Sequence, residues 1–458
     1  MPETHEMSGA TSQLQQGLSQ RQLTMIAIGG IIGAGFFVGS GVVIGKAGPA
    51  AFLTYALCGV LIILVMRMLG EMATANPSTG SFAEYAREAL GGWAGFSVGW
   101  LYWYYWVIVV GFEAVAGAKV ITYWFPAPLW LLSLILMVLM TATNLFSVAS
   151  YGEFEFWFAG IKVAAILLFL LLGSMYAFGL WPHRHADLSN LHAHGGFLPN
   201  GWHGAFGAIV VVIFSMVGAE VATIAAAETP DPERAVQRAT NAVAARIAIF
   251  FVGSIFLLTV VMPWNSVQPG SSPFVAALRQ MGIPGADHVM NAVVLTAVLS
   301  CLNSGLYTAS RVLFVLAGQH EAPARMLTVS RRGVPSLAIV GSSVVGFLCV
   351  IMAGVAPNTV FQFLLNSSGA IVLLVYLLIA LSQIVLRRQT PLDKLKVRMW
   401  FFPVLSILTV AGIAAVLVQM AFDNTARVQF WFSLLSWVIV VVVYFVTRRW
   451  RIPAVTNG

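Results

Sequence analysis

The sequence is a succession of long apolar runs separated by short polar links. Each run is near or above the roughly 20 residues needed to cross a bilayer core. They fall at about 22–45, 50–72, 93–125, 128–146, 154–180, 204–227, 236–262, 287–317, 335–355, 358–386, 399–421 and 428–447. Only 9% of the residues are charged and 59% are hydrophobic, against about a quarter charged in soluble chains. The pattern predicts an all-α integral membrane protein of about twelve transmembrane helices, its apolar mass facing lipid and packing helix on helix.

Charge placement sets the expected orientation. Of the 24 Lys and Arg, Arg67, Lys162 and Arg311 lie within spans. With the N-terminus inside, Lys46, Lys119, Arg184, Arg279 and Arg427 face outward and all the others inward. Lys and Arg accumulate on the cytoplasmic side, so both termini are expected in the cytoplasm and the chain in the inner (cytoplasmic) membrane. The net charge of +7 is then a matter of topology; no basic, aromatic-interleaved surface speaks for nucleic acid. Residues 1–20 are polar and lack the short apolar region and cleavage site of a signal peptide, so they read as a cytoplasmic tail and the first span as the insertion signal.

Cys58, Cys301 and Cys349 all sit in apolar runs without metal-ligand spacing, which argues against a disulfide framework or a zinc site. The histidines from His183 to His203 belong to a solvated outer loop, and no metal or cofactor is expected. An integral membrane enzyme would need an acid–base pair, an activated nucleophile or metal ligands at depth, and the histidines lie at ends and loops instead. The segment Ser81–Leu90 follows the turn residues 76–80 and mixes Phe82 and Tyr85 with Glu84, Arg87 and Glu88, as an interfacial helix under the cytoplasmic mouth does. The Gly-, Pro- and aromatic-rich stretches 195–204 and 269–284 are expected to cover the outer mouth.

Two spans carry matching interruptions. Span 1 contains four glycines in the seven residues 29–35, and span 6 contains Ser215, Met216, Val217, Gly218, Ala219 and Glu220. Each glycine costs a helix up to about 1 kcal/mol relative to alanine, so the first helix is expected to unwind. Freed N–H and C=O groups survive in lipid only where protein, water or a ligand answers them, and the N–H end is a receptor for a carboxylate. Irregular helices at corresponding places in two five-span units, the second inverted, point to a transporter site.

Lys162 lies well inside span 5, where a lysine costs roughly 2.5–3.5 kcal/mol on insertion scales. Such a residue either snorkels to the interface or faces the bundle as a titrating, proton-coupling group. Glu113 in span 3 and Glu220 in span 6 are the other carboxylates at depth, available to a substrate ammonium, a proton or a gate hydrogen bond. Glu71, Glu153, Glu155 and Glu228 lie near inner helix ends, where solvated roles are expected. Phe214 precedes the span 6 interruption, where an aromatic ring can close over a ligand, and part of the aromatic run from Trp100 to Trp106 is expected to face the cavity.

The strings GGIIGAGFFVGSG, AGPAAFLTYAL, MRMLGEMA, TGSFAEYA, YGEFEFWFAGIKVAAI, GAEVATIAAAETPDPERAVQRATN, SCLNSGLYTASRVLF and NSSGAIVLLVYL resemble the amino acid transporters of the amino acid, polyamine and organocation superfamily. The resemblance runs from about Gly17 to Arg449. IAAAE and SCLNSGLYTASR are most similar to bacterial permeases for 4-aminobutyrate, while permeases for aromatic amino acids, proline and alanine or glycine share most of the framework.

The resemblance implies a LeuT-like five-plus-five inverted repeat with broken helices 1 and 6: a first repeat over 21–180, an inverted second over 204–386, peripheral helices 11 and 12 over 399–448 and a tail over 449–458. It implies that Ile31, Ile32, Gly33, Ala34 and Gly35 receive the substrate carboxylate through backbone amides. Phe214, Val217, Gly218 and Glu220 match the aromatic gate and the ammonium side. Lys162 matches the span 5 lysine of proton-coupled relatives, and Asn303, Ser304, Ser367 and Ser368 line a neighbouring polar cavity. Ala34 stands where some relatives carry serine, so a hydroxyl contact to the carboxylate is absent here. The expectation is proton-coupled uptake of a zwitterionic amino acid, 4-aminobutyrate first, with other neutral amino acids as the competing substrates.

Overall fold

The computed structural model describes residues 32–76, 81–146, 148–182, 185–218, 220, 232–268, 270–424 and 426–451. Both terminal tails, Ile31 with the glycines at 29 and 30, the turn residues 77–80 and Glu228 lie outside the described residues. All regular structure among the described residues is helical.

The first helical path is α1 (Ala34–Phe37), α2 (Gly39–Ala47), a tight turn at Gly48–Ala50 and α3 (Ala51–Ala75). Gly48 turns the chain at φ 64°, a conformation open to glycine because it lacks a Cβ. The carbonyl end of α2 would be unsatisfied there; the Asn200 side chain donates to the Gly45 and Lys46 carbonyls at 3.2 and 3.0 Å.

There follow α4 (Ser81–Leu90), α5 (Gly92–Ile121), α6 (Leu129–Phe146), α7 (Val148–Ala177), α8 (Gly201–Gly207) and α9 (Ile209–Met216). The second half holds α10 (Pro232–Arg246), a wide π turn at Ile247–Gly253, α11 (Ser254–Val261), α12 (Pro273–Gln280), α13 (Ala286–Gly318), α14 (Ser336–Val355), α15 (Pro357–Gln389), α16 (Val404–Phe422) and α17 (Arg427–Arg451). Ten helical stretches among the described residues are long and apolar enough to cross a membrane, the first being 34–75 as one path, and Gly201–Met216 is apolar but shorter.

Burial sorts these helices. The most apolar window of α5 is 83% buried and that of α17 only 6%. A helix apolar all round and buried is a core helix, so α5 is the axis of the bundle and α17 faces lipid. Glycines let neighbours approach that axis: a Cβ on Gly99 would meet Leu316 of α13 at 2.7 Å, and one on Gly111 would meet Cys349 of α14 at 2.6 Å. Close approach of this kind replaces the hydrophobic drive that lipid does not supply.

Two links differ from expectation. The segment Ser81–Leu90 is helical as the pattern indicates, but its apolar face lies on protein: Phe82 and Tyr85 are buried, with the Phe82 ring edge-on to Tyr102 at 4.7 Å. Arg87 bridges Glu84 at 3.3 Å and Glu321 beyond α13 at 2.8 Å, which locks this helix onto the bundle. The described part of 269–284 contains a helix, α12, that inserts Phe274 between Phe36, Phe37 and Phe169 at ring distances of 5.2, 5.1 and 4.9 Å. Clustered aromatic rings bury large apolar areas and cover the Phe36–Phe37 part of α1.

Candidate functional site

Gly33 is the extended residue before α1 (φ −129°, ψ −156°). The first N–H groups of a helix lack intrahelical acceptors. The Ala34 N–H is answered by a side chain 79 residues away: it donates to both carboxylate oxygens of Glu113, at 3.1 Å each. Gly33 permits that approach, because a Cβ there would lie 2.6 Å from Glu113 Oε1 and 2.7 Å from Cys301 Cβ.

The opposing wall is the end of α9. The helix stops at Met216; Val217 is extended and Gly218 lies at φ 105°. Phe214, in the last turn, lays its ring against Gly35, 2.8 Å from where a Cβ would stand, and packs edge-on with Phe112 at 5.1 Å and Tyr105 at 6.3 Å.

Between the walls is a cavity of about 20 Å³ lined by Gly33, Gly35, Tyr105, Trp106, Val109, Glu113, Phe214, Ser215, Val217 and Cys301. That is room for about one water. The Phe214 ring, at the end of α9, lies against Gly35 of α1 and forms part of this lining.

Glu220 is fully buried one step beyond the cavity. It accepts hydrogen bonds from Tyr102 Oη at 3.1 Å, Tyr376 Oη at 3.1 Å and the Gly218 N–H at 2.9 Å. Donors to a carboxylate at depth offset its desolvation and tie the end of α9 to α5 and α15. Lys162 also has no exposed surface, so it does not reach the interface. Its Nζ donates to Ser300 Oγ at 2.7 Å and lies 3.8 Å from Glu155 Oε1. Glu113 and Cys301 are within its electrostatic reach.

Of the residues singled out in the sequence, Gly33, Gly35, Glu113, Phe214 and Val217 line the cavity. Ala34 presents its amide, and Ile32 is buried beside Gly33. Gly218, Glu220 and Lys162 form the surrounding layer. Asn303 faces elsewhere, accepting from Asn144 Nδ2 on α6 at 2.7 Å. Ser367 is buried on α15 away from the lining, its hydroxyl without a hydrogen-bond partner among the described residues. Ile31 lies outside the described residues.

Glu71 and Glu155 are not solvated, contrary to expectation: they are 1% and 0% exposed. Glu71 accepts from Gln383 at 2.7 Å, Arg387 at 3.3 Å and the Met399 amide, and Glu155 accepts from Ser300. Donors from distant helices meet both carboxylates, though one oxygen of Glu155 is left without a partner among the described residues, which a linear pattern does not display.

Val109 and Cys301 in the lining and Tyr376 beside Glu220 carried no signal of their own in the sequence, whereas Tyr102, Tyr105 and Trp106 belong to the aromatic run 100–106 and Ser215 to the span 6 stretch already singled out. A shared signal was present for α5: Tyr102, Trp106, Val109 and Glu113 recur at steps of four, three and four, the spacing of one helix face. Among the described residues no three His, Cys, Asp or Glu side chains converge where a metal ion could be held.

A model of the amino acid permease family matches residues 22–457. The gamma-aminobutyric acid permease of Bacillus subtilis (strain 168) is 50% identical over 451 residues, 97% of this chain and 96% of that protein. The gamma-aminobutyric acid permease of Escherichia coli (strain K12) is 43% identical, covering 98% and 96%. An aromatic amino acid transport protein of Corynebacterium glutamicum is 39% identical over 98% of this chain and all of its own length. Among solved structures, a mutant of the Eremococcus coleocola manganese transporter superposes with a TM-score of 0.59 at 13% identity, covering 94% of this chain and 93% of that one; the likeness is one of fold. A bundle of membrane-crossing helices around a buried cavity lined by Glu113 and Phe214, matched from end to end by permeases, makes this chain a member of the amino acid permease family, a transporter and not an enzyme.

Proposed function

We propose that this permease takes up a zwitterionic amino acid, 4-aminobutyrate in the first place, together with a proton across the cytoplasmic membrane. The framework of this reading is a twelve-span, five-plus-five inverted repeat with spans 1 and 6 broken, spans 11 and 12 peripheral and both termini inside.

One observation carries it: the Ala34 amide, at the start of the first described helix and against the cavity, already holds a carboxylate, that of Glu113. Backbone N–H groups at such a place receive anions. A substrate carboxylate takes the position by displacing Glu113, and the released Glu113 then faces the substrate ammonium. The longer spacing of amine and carboxylate in 4-aminobutyrate, compared with an α-amino acid, lets Glu113 or Glu220 reach the ammonium while the span 1 amide keeps the carboxylate. The 50% identity with a gamma-aminobutyric acid permease supports the same substrate.

Lys162 is the proton-coupling residue of this reading, with the proton as the coupling ion and no cofactor. A net-neutral substrate moving with one proton gains about 2.3 kcal/mol per 100 mV. A potential of ~150 mV therefore supplies ~3.5 kcal/mol, enough for several hundredfold accumulation.

In proteoliposomes, an inward-directed proton gradient is expected to drive uncoupler-sensitive accumulation of labelled 4-aminobutyrate, inhibited less by proline, phenylalanine and alanine than by β-alanine. Stronger inhibition by phenylalanine or proline would assign another neutral substrate. Lys162→Gln is expected to abolish accumulation; concentrative uptake by this variant would remove Lys162 from the coupling role.

A further inference from the structure

Glu155 belongs to none of the roles described so far, yet it is fully buried beside Lys162. The two residues are seven apart on α7, two turns along one face of the helix. Ser300 of α13 stands between their polar ends. Lys162 Nζ donates to Ser300 Oγ at 2.7 Å, and Ser300 Oγ donates to Glu155 Oε1 at 2.5 Å. The second carboxylate oxygen of Glu155 is buried with no hydrogen-bond partner among the described residues.

A buried carboxylate with one oxygen unanswered is poorly built as a purely structural counter-ion, since ion pairs at depth are stable when every lone pair is satisfied. It is well built as a site that alternates between charged and protonated forms. The line Nζ–Oγ–Oε1 has donor and acceptor in the right order for a proton relay. As an N–H bond of the Lys162 ammonium breaks, Ser300 gains that proton; as the Ser300 O–H breaks, Glu155 gains the second. Ammonium and carboxylate become amine and carboxylic acid, with no change in net charge inside the low-dielectric bundle.

We propose that Glu155, acting through the Ser300 hydroxyl, accepts the proton that Lys162 releases and passes it toward the cytoplasmic side. The inference rests on the proton-coupled reading above and on its orientation, in which α7 enters from the inner face and Glu155 precedes Lys162. Other titratable groups facing the relay are Glu113 of α5 and Cys301 of α13. The segments α6, 247–253 and α11, also packed on α7, carry no titratable side chain.

The test compares two activities of purified protein in proteoliposomes: exchange of labelled for unlabelled 4-aminobutyrate, which needs no net proton movement, and accumulation driven by an imposed pH gradient. Glu155→Gln keeps an acceptor for Ser300 and loses the titrating group. It is expected to keep exchange within about twofold while accumulation falls at least tenfold. Ser300→Ala leaves both ionisable groups and breaks the line, with the same expected split, and Ser300→Thr restores accumulation.

Accumulation by Ser300→Ala at the wild-type level and pH profile would overturn the relay. So would an equal loss of exchange and accumulation in Ser300→Ala, which marks a structural role. Ser300→Ala carries the decision if Glu155→Gln fails to fold. Wild-type protein indifferent to the pH gradient would instead overturn the proton-coupled reading, so the two failures are told apart.

Discussion

Gly33 has no space for a methyl group. A Cβ there would fall 2.6 Å from Glu113 Oε1 and 2.7 Å from Cys301 Cβ, and the latter is fixed to the α13 backbone. Gly33→Ala must therefore push Glu113 off the Ala34 amide or move α1 from α13. Either change disrupts the Ala34–Glu113 contact at the cavity wall, and a displacement of about 1 Å suffices to cost roughly a hundredfold in a preorganised site. The expected outcome is at least tenfold lower uptake at normal protein yield, measured as initial rate per mole of reconstituted permease. Wild-type rates would show that the Ala34–Glu113 contact is dispensable. The sequence marked Gly33, Ala34 and Glu113 separately, through glycine density and a carboxylate at depth. Their pairing was not legible, because residues 79 apart meet only once α1 and α5 are packed.

Helix α5 is the element on which the site depends. It supplies Tyr102 to Glu220, Glu113 to Ala34 and three further positions, Tyr105, Trp106 and Val109, to the cavity. Its glycines set how closely α13 and α14 approach. At Gly111 an added methyl would meet Cys349 Cβ at 2.7 Å. Overpacking of this kind costs about 1–3 kcal/mol, against a helix-propensity gain of about 1 kcal/mol for Gly→Ala. With a fixed Cβ as the clashing atom, the net effect of Gly111→Ala is a loss of roughly 1 kcal/mol. A lowered thermal midpoint in detergent checks it; an unchanged or raised midpoint would mean that α14 yields freely. The α5 span itself was plain from its apolar length. Its central position was not, since periodicity cannot separate a buried apolar helix from a lipid-facing one, and the 83% burial follows from what surrounds it.

At the scale of the whole molecule, the distribution of Lys and Arg predicts a cytoplasmic C-terminus. Green fluorescent protein fused to the C-terminus is expected to fluoresce and alkaline phosphatase fused there to remain inactive; active phosphatase would reverse the orientation.

The linear sequence alone determined that the chain crosses a bilayer many times as helices and that glycines gather at 29–35 in the first of its apolar runs. These depend on local composition and length, which lipid as a solvent reads directly. Only the tertiary structure decided that Glu113 occupies the Ala34 amide, that three donors hold Glu220, that Asn303 turns to Asn144, and that Glu155 joins Lys162 through Ser300. Apart from the Gly218 amide on Glu220, each depends on a contact between helices far apart in the chain, and its partner is chosen by packing geometry that no local pattern encodes.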